Sequence, residues 1–240
     1  MNNPVVLMYH DIVTIDDKSS GFQNESAFQY KLLASDFEEQ VKSLADKNVT
    51  FTFDDGGVSF ITQAAPILER YGRKGIFFIS TDYIDTPGFL TTEQVKELDT
   101  RGHIIGSHSC SHPHDISQLS EEEIFREWTD SKRRLEEILG HEVVTASIPN
   151  GYCTKMVCDK AFESGLRVLY TSKPTTRSKK HNNIQCIGRY VVHCDMAVNH
   201  VHAIVCNHKT RIKIYLRWLV LEALKMMLGS RYDKLKSHFA

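Results

Sequence analysis

Two consecutive aspartates, Asp54 and Asp55, close the short apolar run Val49–Phe53 and are followed at once by Gly56 and Gly57. Along a continuing strand, neighbouring side chains point to opposite faces. A glycine turn can instead bring both carboxylates to the strand's carboxyl end, where α/β folds keep their chemistry. Adjacent acids suit a core poorly; they suit a cation held beside a general base, or, in the plainer alternative, a solvated turn with helix-capping aspartates. A second group of chemical side chains lies in Ser107-His108-Ser109-Cys110-Ser111-His112-Pro113-His114, again just after an expected strand. His108 and His112 are four positions apart, so one helical turn would set both imidazoles on one side, ready for a metal. Imidazole together with one carboxylate is a common donor set for catalytic zinc, which leaves a position open for water. His114 falls on the expected loop surface.

The elements that carry these groups follow from hydrophobic periodicity. Residues 4–9 are an apolar run, an expected first strand that delivers His10 and Asp11 to its end. Val49–Phe53 and Gly75–Ile79 are expected strands, as are residues 103–107, 143–148, 166–170 and 187–192. Helical spacing recurs over 36–46 and again over 60–71, where Pro66 is expected to kink or restart the helix. Thr91 with Gln94, and Ser120 with Glu123, form capping boxes that open helices stopped by Gly102 and Gly140. A short helix ends near Gly165, and the polar segment 11–30 is long for a loop, which hints at a functional rim. Strands alternating with helices on short connections predict an α/β fold with a parallel sheet, and the number of units favours a barrel over an open sheet.

Composition narrows the classes. The 240 residues suffice for one well-buried domain, and 29 basic against 30 acidic residues leave no global charge that would point to nucleic acid. The first residues carry no basic region and no long apolar run, so a secretory signal is not expected, and no apolar stretch is suited to span a bilayer. A cytoplasmic protein with reduced thiols is the expectation. The six cysteines (Cys110, Cys153, Cys158, Cys186, Cys194, Cys206) lack paired CxxC spacing, and no zinc ribbon is indicated. The chain divides into a domain over residues 1–208 and a basic, apolar helical tail over 209–240, expected as a helix or a helix pair broken at Gly229. That tail packs on the domain or lies at a membrane surface.

Thr52-Phe53-Asp54-Asp55-Gly56 and His108-Ser109-x-x-His112, with the opening Val6-Leu7-Met8-Tyr9-His10-Asp11-Ile12, resemble the polysaccharide deacetylases, the NodB-homology carbohydrate esterases, over residues 4–174. The resemblance implies a distorted (β/α) barrel of about seven strands and metal-dependent removal of acetyl groups from N-acetylated sugars. It implies that Asp55, His108 and His112 bind a divalent ion, zinc being the expected one, and that Asp54 is the general base. The metal would polarise the acetamide carbonyl and acidify water, and a backbone N–H at Asn150-Gly151 would meet the oxyanion.

The chain also departs from that family. Its third motif usually opens with an arginine that orients the base aspartate; here Ser147 stands in that place, in Ser147-Ile148-Pro149-Asn150-Gly151-Tyr152, and the bracing aspartate–tryptophan pair of the fourth motif is not visible. Arg189 is the expected replacement charge. For the general acid, His208 is a loose match to the fifth motif, with His10 and His193 as rivals; a barrel's last strand neighbours its first, so His10 would face the same cavity. The spacing of Leu221, Leu224, Leu228, Tyr232 and Leu235 resembles the ending of deacetylases of bacterial surface-glycan assembly, which implies a lipid-linked or membrane-face sugar substrate. The expected function is N-deacetylation of an N-acetylhexosamine-containing glycan or precursor. The alternatives are an amidohydrolase of a non-sugar amide on the same fold, or a carbohydrate-binding barrel that has lost turnover.

Overall fold

The expected strands pair side by side in parallel and are covered on both faces, so Val5–Tyr9 and Gly75–Ile79 are apolar throughout while Val49–Phe53 keeps two threonines. A computed structural model describes residues 3–228. In chain order its elements are β1 (Val5–Tyr9), β2 (Ile12–Val13), α1 (Glu25–Phe28), β3 (Leu32–Leu33), α2 (Ala34–Ser43), β4 (Val49–Phe53), α3 (Ala65–Arg70), β5 (Gly75–Ile79), α4 (Thr92–Thr100) and β6 (Ile104–Ser107). They continue as α5 (Glu121–Leu139), β7 (Thr145–Ser147), α6 (Lys155–Glu163), β8 (Val168–Thr171), β9 (Lys179–His181), β10 (Ile184–Gly188), β11 (Tyr190–Val191), α7 (Val198–Cys206) and α8 (His208–Leu228).

The main sheet has nine strands in the order β11-β1-β4-β5-β6-β7-β8-β10-β9, with β9 antiparallel to β10. It curls into a distorted (β/α) barrel. The strand expected over 187–192 is in fact two: β10 pairs with β8, and β11 pairs with β1 on the other side of the barrel. The chain changes partner at Arg189, whose N–H donates to the Lys173 carbonyl beyond β8 at 2.9 Å. Gly188 permits this crossing, because a Cβ there would stand 2.4 Å from that same carbonyl oxygen. One segment thus closes the sheet and leaves a long side chain at the seam.

The core places the carboxyl ends of the strands. Phe53, the last residue of β4, stacks on Phe77 of β5 at 4.8 Å between centroids and packs near Tyr9, Phe37 and Phe60. Each such ring contributes about 1.5–3 kcal/mol by leaving water. Asp54 follows directly, so the aromatic cluster anchors the residue before the acids. α5 is opened by the Ser120–Glu123 capping box, buries Ile124, Trp128, Ser131, Leu135 and Ile138, and stops at Gly140 in a left-handed conformation.

Local differences from the sequence reading have physical causes. Residues 60–71 form a wide helical turn over Phe60–Ala64 and then α3, with Pro66 in the first turn, where its missing N–H costs nothing. The segment 11–30 holds β2 and α1, and β2 pairs in parallel with β3. α8 runs as one helix to Leu228; the break expected at Gly229 lies outside the described residues. Arg211 of α8 donates to the Ile204 and Val205 carbonyls at the end of α7, and the Lys173 ammonium sits 5.2 Å over the Trp218 ring. No helix among the described residues is long and apolar enough to cross a membrane.

Candidate metal centre and active site

β4 and β6 end close together, one strand apart. After Phe53 the chain turns sharply: Asp55 has φ 90° and Gly56 φ 100°, both left-handed. A non-glycine residue at such a φ carries strain that the surroundings must hold. The turn sets Asp54 and Asp55 side by side at the strand end, both buried. From β6, His108 and His112 point their Nε2 atoms at the same Asp55 oxygen, each at 3.4 Å. They reach it through a loop and not through the helical turn their spacing suggests, because Ser109 (φ 65°) and His112 (φ 54°) are left-handed.

The donor set fits a divalent cation. His108 Nδ1 lies 3.0 Å from the Ser147 carbonyl oxygen and 2.5 Å from its hydroxyl. A carbonyl only accepts, so Nδ1 carries the proton and the Nε2 lone pair faces the Asp55 carboxylate. Acceptor faces acceptor there unless a positive charge lies between them. Donor atoms about 3.3 Å apart are what a tetrahedral ion with bonds near 2.0–2.1 Å requires, and one atom each from Asp55, His108 and His112 lies within 4.8 Å of the others.

Asp54 is held differently. Arg189 is fully buried and forks onto it, Nη1 to Oδ1 at 2.6 Å and Nη2 to Oδ2 at 2.8 Å. The guanidinium also donates to the Thr52 hydroxyl and the Thr171 carbonyl, and lies over the Phe78 and Tyr170 rings. Burial pushes the Asp54 carboxyl up, but the Arg189 charge, with His108 beside it, outweighs burial and holds it below the usual carboxylate range. For Asp55, burial likewise works upward, and hydrogen bonding to the His108 and His112 rings, whose place a cation between them would take, reverses it and leaves the carboxyl well below that range.

The other expected residues are placed as follows. His10 follows β1, stacks on Tyr30 at 4.5 Å, and has a buried Nδ1 with no hydrogen-bond partner among the described residues. His193 also stacks on Tyr30, at 4.9 Å. His208 opens α8 as an exposed residue, and the structure does not bring it into hydrogen-bond or ion-pair contact with the aspartates. The Gly151 N–H is already donated to the Ile148 carbonyl and is not open to an oxyanion.

Three positioning residues escaped the sequence reading. Ser147 orients His108. Glu127 of α5 accepts the Cys110 and Ser111 N–H groups at 2.8 and 3.0 Å and the Ser111 hydroxyl at 2.7 Å, and so shapes the loop between the two histidines. Buried Asp11 accepts the Ser20 and Ser59 hydroxyls at 2.6 and 2.9 Å, latching the 11–30 segment to the turn after Asp55. That segment also sets Phe22 against His112, 5.1 Å between centroids, and brings Tyr30 within electrostatic reach of Asp55. Ser147 and Asp11 stood within the family-like stretches without a role assigned to them, and Glu127 left no signal.

A curled parallel sheet with an Asp-His-His set and an arginine-held aspartate at its carboxyl ends defines a NodB-type barrel with a site suited to a divalent ion. A family model described as polysaccharide deacetylase matches residues 42–169, more than half of the chain, and the chain belongs to that family. It is 30% identical over 146 residues to the peptidoglycan-N-acetylglucosamine deacetylase PgdA of Listeria monocytogenes, covering 60% of this chain and 29% of PgdA. It is 29% identical over 154 residues to YxkH of Bacillus subtilis, covering 64% of this chain and 53% of YxkH. The chain therefore spans about half or less of the length of these relatives. Among solved structures, the Streptococcus pyogenes deacetylase PplD in complex with acetate superposes with a TM-score of 0.72 at 21% identity, covering 85% of this chain and 98% of PplD. A polysaccharide deacetylase from Bacillus cereus gives a TM-score of 0.72 at 21% identity, covering 85% of this chain and 69% of the other. At that identity the likeness is one of fold.

Proposed function

We propose that the chain is a metal-dependent hydrolase that removes N-acetyl groups from an N-acetylhexosamine-containing glycan or glycan precursor, with zinc held by Asp55, His108 and His112. The observation that carries this reading is the bidentate fork of Arg189 on Asp54. A binding module has no need of an ionised, immobilised carboxylate beside a cation site; a general base does. A divalent ion on the three donors would supply polarisation of the amide carbonyl and acidification of water. Asp54 then takes the proton of the attacking water, because Arg189 keeps it ionised and aims both of its oxygens. His10, whose buried Nδ1 has no hydrogen-bond partner among the described residues, returns a proton to the departing amine. The Asn150 N–H meets the developing oxyanion.

In the same reading α8 lies against a membrane face. Its residues Ile212, Leu216, Leu219 and Val220 are exposed at 43%, 55%, 41% and 60%, with Lys213 and Arg217 among them. Such a helix suits an anionic lipid surface and a lipid-linked sugar.

The test is acetate release from N-acetylated sugar oligomers, run beside a panel of small non-sugar amides. Acetate release from the sugars that stops on chelation, returns with zinc, and falls by at least ~10³-fold in Asp54→Asn is the expected result. Turnover of a small amide with none of any acetylated sugar would replace this reading by the non-sugar amidohydrolase.

A further inference from the structure

A second group of metal-type donors lies outside the site described above. Cys153 follows the turn Pro149–Gly151, Cys158 lies in the first half of α6, and Cys186 lies on β10. Their spacing, with four residues between the first two and the third far along the chain, hides the cluster from sequence reading. The fold brings them together: Cys153 Sγ is 3.5 Å from Cys158 Sγ, which is 3.9 Å from Cys186 Sγ, and all three lie within 4.8 Å of one another. A disulfide needs sulfurs about 2.0 Å apart, so the cysteines are free thiols. Three sulfurs on a tetrahedral zinc, at about 2.3 Å each, stand about 3.8 Å apart. The two Sγ–Sγ separations lie on either side of that value.

A candidate fourth donor stands on the same face, outside the 4.8 Å that encloses the three sulfurs. β9 and β10 pair antiparallel, His181 opposite Ile184 and Lys179 opposite Cys186. Directly opposed residues point to the same side of a sheet, and alternate residues share it. His181 therefore shares a face with Cys186. Its Nε2 is buried and has no hydrogen-bond partner among the described residues. The cluster is open on one side, since Cys153 is exposed and Cys186 half-buried while Cys158 is closed in. An ion can therefore enter without opening the core. Thiolate and imidazole donors select zinc-class cations over magnesium or calcium.

We propose that Cys153, Cys158 and Cys186, with His181 as fourth ligand, form a second, structural site for a zinc-class cation. Binding displaces the thiol protons to solvent and needs no redox partner. The ion would tie three pieces of the chain: the Asn150-Gly151 turn beside the candidate active site, the start of α6, and β10, which leads directly to Arg189. It would thereby fix the two elements that enter the first site from this side of the barrel. A closed, four-coordinate set is the structural type of zinc site, in contrast to the three-ligand set at Asp55.

The experiment is metal counting on full-length protein purified under reducing conditions, compared with Cys153→Ser, Cys186→Ser and His181→Ala. Loss of one zinc per chain in each cysteine variant, and a retained but at least ~10-fold weaker ion in His181→Ala, is expected. Cobalt-loaded wild type should show a sulfur-to-metal charge-transfer band that Cys186→Ser lacks. The count is a difference between wild type and cysteine variant, so it stands whatever the Asp55 site holds. As a check independent of mutating the cluster, chelation of an Asp55→Ala variant, which lacks the first site, should lower its Tm. An unchanged zinc count in both cysteine variants, absence of the charge-transfer band, or a Cys153–Cys158 disulfide in the reduced preparation would overturn the site; unchanged affinity in His181→Ala would overturn the four-donor set.

Discussion

Arg189 and Asp54 are a buried ion pair, and such a pair is costly to break because one charge is left without its partner, by about 3–5 kcal/mol. Arg189→Met should therefore lower stability and remove the force that keeps the base ionised. The direction of the pH effect follows: the guanidinium lowers the Asp54 pKa, so its loss lets that pKa rise, and the acid limb of kcat/KM moves to higher pH. A drop of about 10²-fold or more at neutral pH, with the shifted limb, is expected from rate profiles on an acetylated sugar oligomer. An unchanged profile would remove Arg189 from the mechanism. Glu127 acts one step further out. Its carboxylate holds two backbone N–H groups of the loop between His108 and His112 and touches neither ring. Glu127→Ala should leave the fold intact and weaken zinc binding at the Asp55 site by about 10–100-fold in a competition titration. Equal affinity in the variant would mean that the loop holds its shape without the carboxylate.

At the scale of elements, the strands that carry Asp54, Asp55 and His108 were legible because each is a short β-rich run, mostly buried, with chemical residues at its end. Arg189 was legible as a charge within such a run, but the break in its strand was not. Periodicity reports what a segment buries, not which neighbour it pairs with, and here one segment pairs with β8 and then with β1. Ser147 and Glu127 were illegible for a related reason: they meet their partners across 39 and 17 residues of chain. β2 and β3 have two residues each, too few for an alternation to register. The latch between the 11–30 segment and the turn after Asp55 depends on close approach at Gly57, where a Cβ would stand 2.0 Å from Asp11 Oδ1 and 2.7 Å from Ser20 Oγ. Neither can retreat freely, since Asp11 and Ser20 are bonded to each other and to Ser59. Gly57→Ala should cost about 1–3 kcal/mol in urea unfolding, the range for overpacking a tight site. It should also raise KM more than it lowers zinc affinity, because the displaced segment carries Phe22 and Tyr30 and none of the three metal donors.

At the scale of the molecule, α8 has two unlike sides. One is fixed to the barrel: Arg211 caps α7, Ile214 packs on the main core, and Trp218 receives Lys173. The other presents Ile212, Leu216, Leu219 and Val220 to solvent, with Lys213 and Arg217 on the same helix. Solvent-facing aliphatic side chains gain about 25 cal/mol for each Å² they withdraw from water, and each basic residue near an anionic leaflet adds about 1 kcal/mol. A helix docked on one side and apolar on the other can hold the barrel against a lipid surface without spanning it. Full-length protein should therefore sediment with vesicles containing phosphatidylglycerol more than with neutral phosphatidylcholine vesicles, and rising salt should weaken the difference. Leu216→Asp with Val220→Asp should abolish sedimentation and leave deacetylation of a soluble oligomer unchanged, because neither residue touches the strand ends. Sedimentation that survives those substitutions would locate membrane contact away from α8, and no sedimentation by wild type would leave a soluble glycan as the substrate.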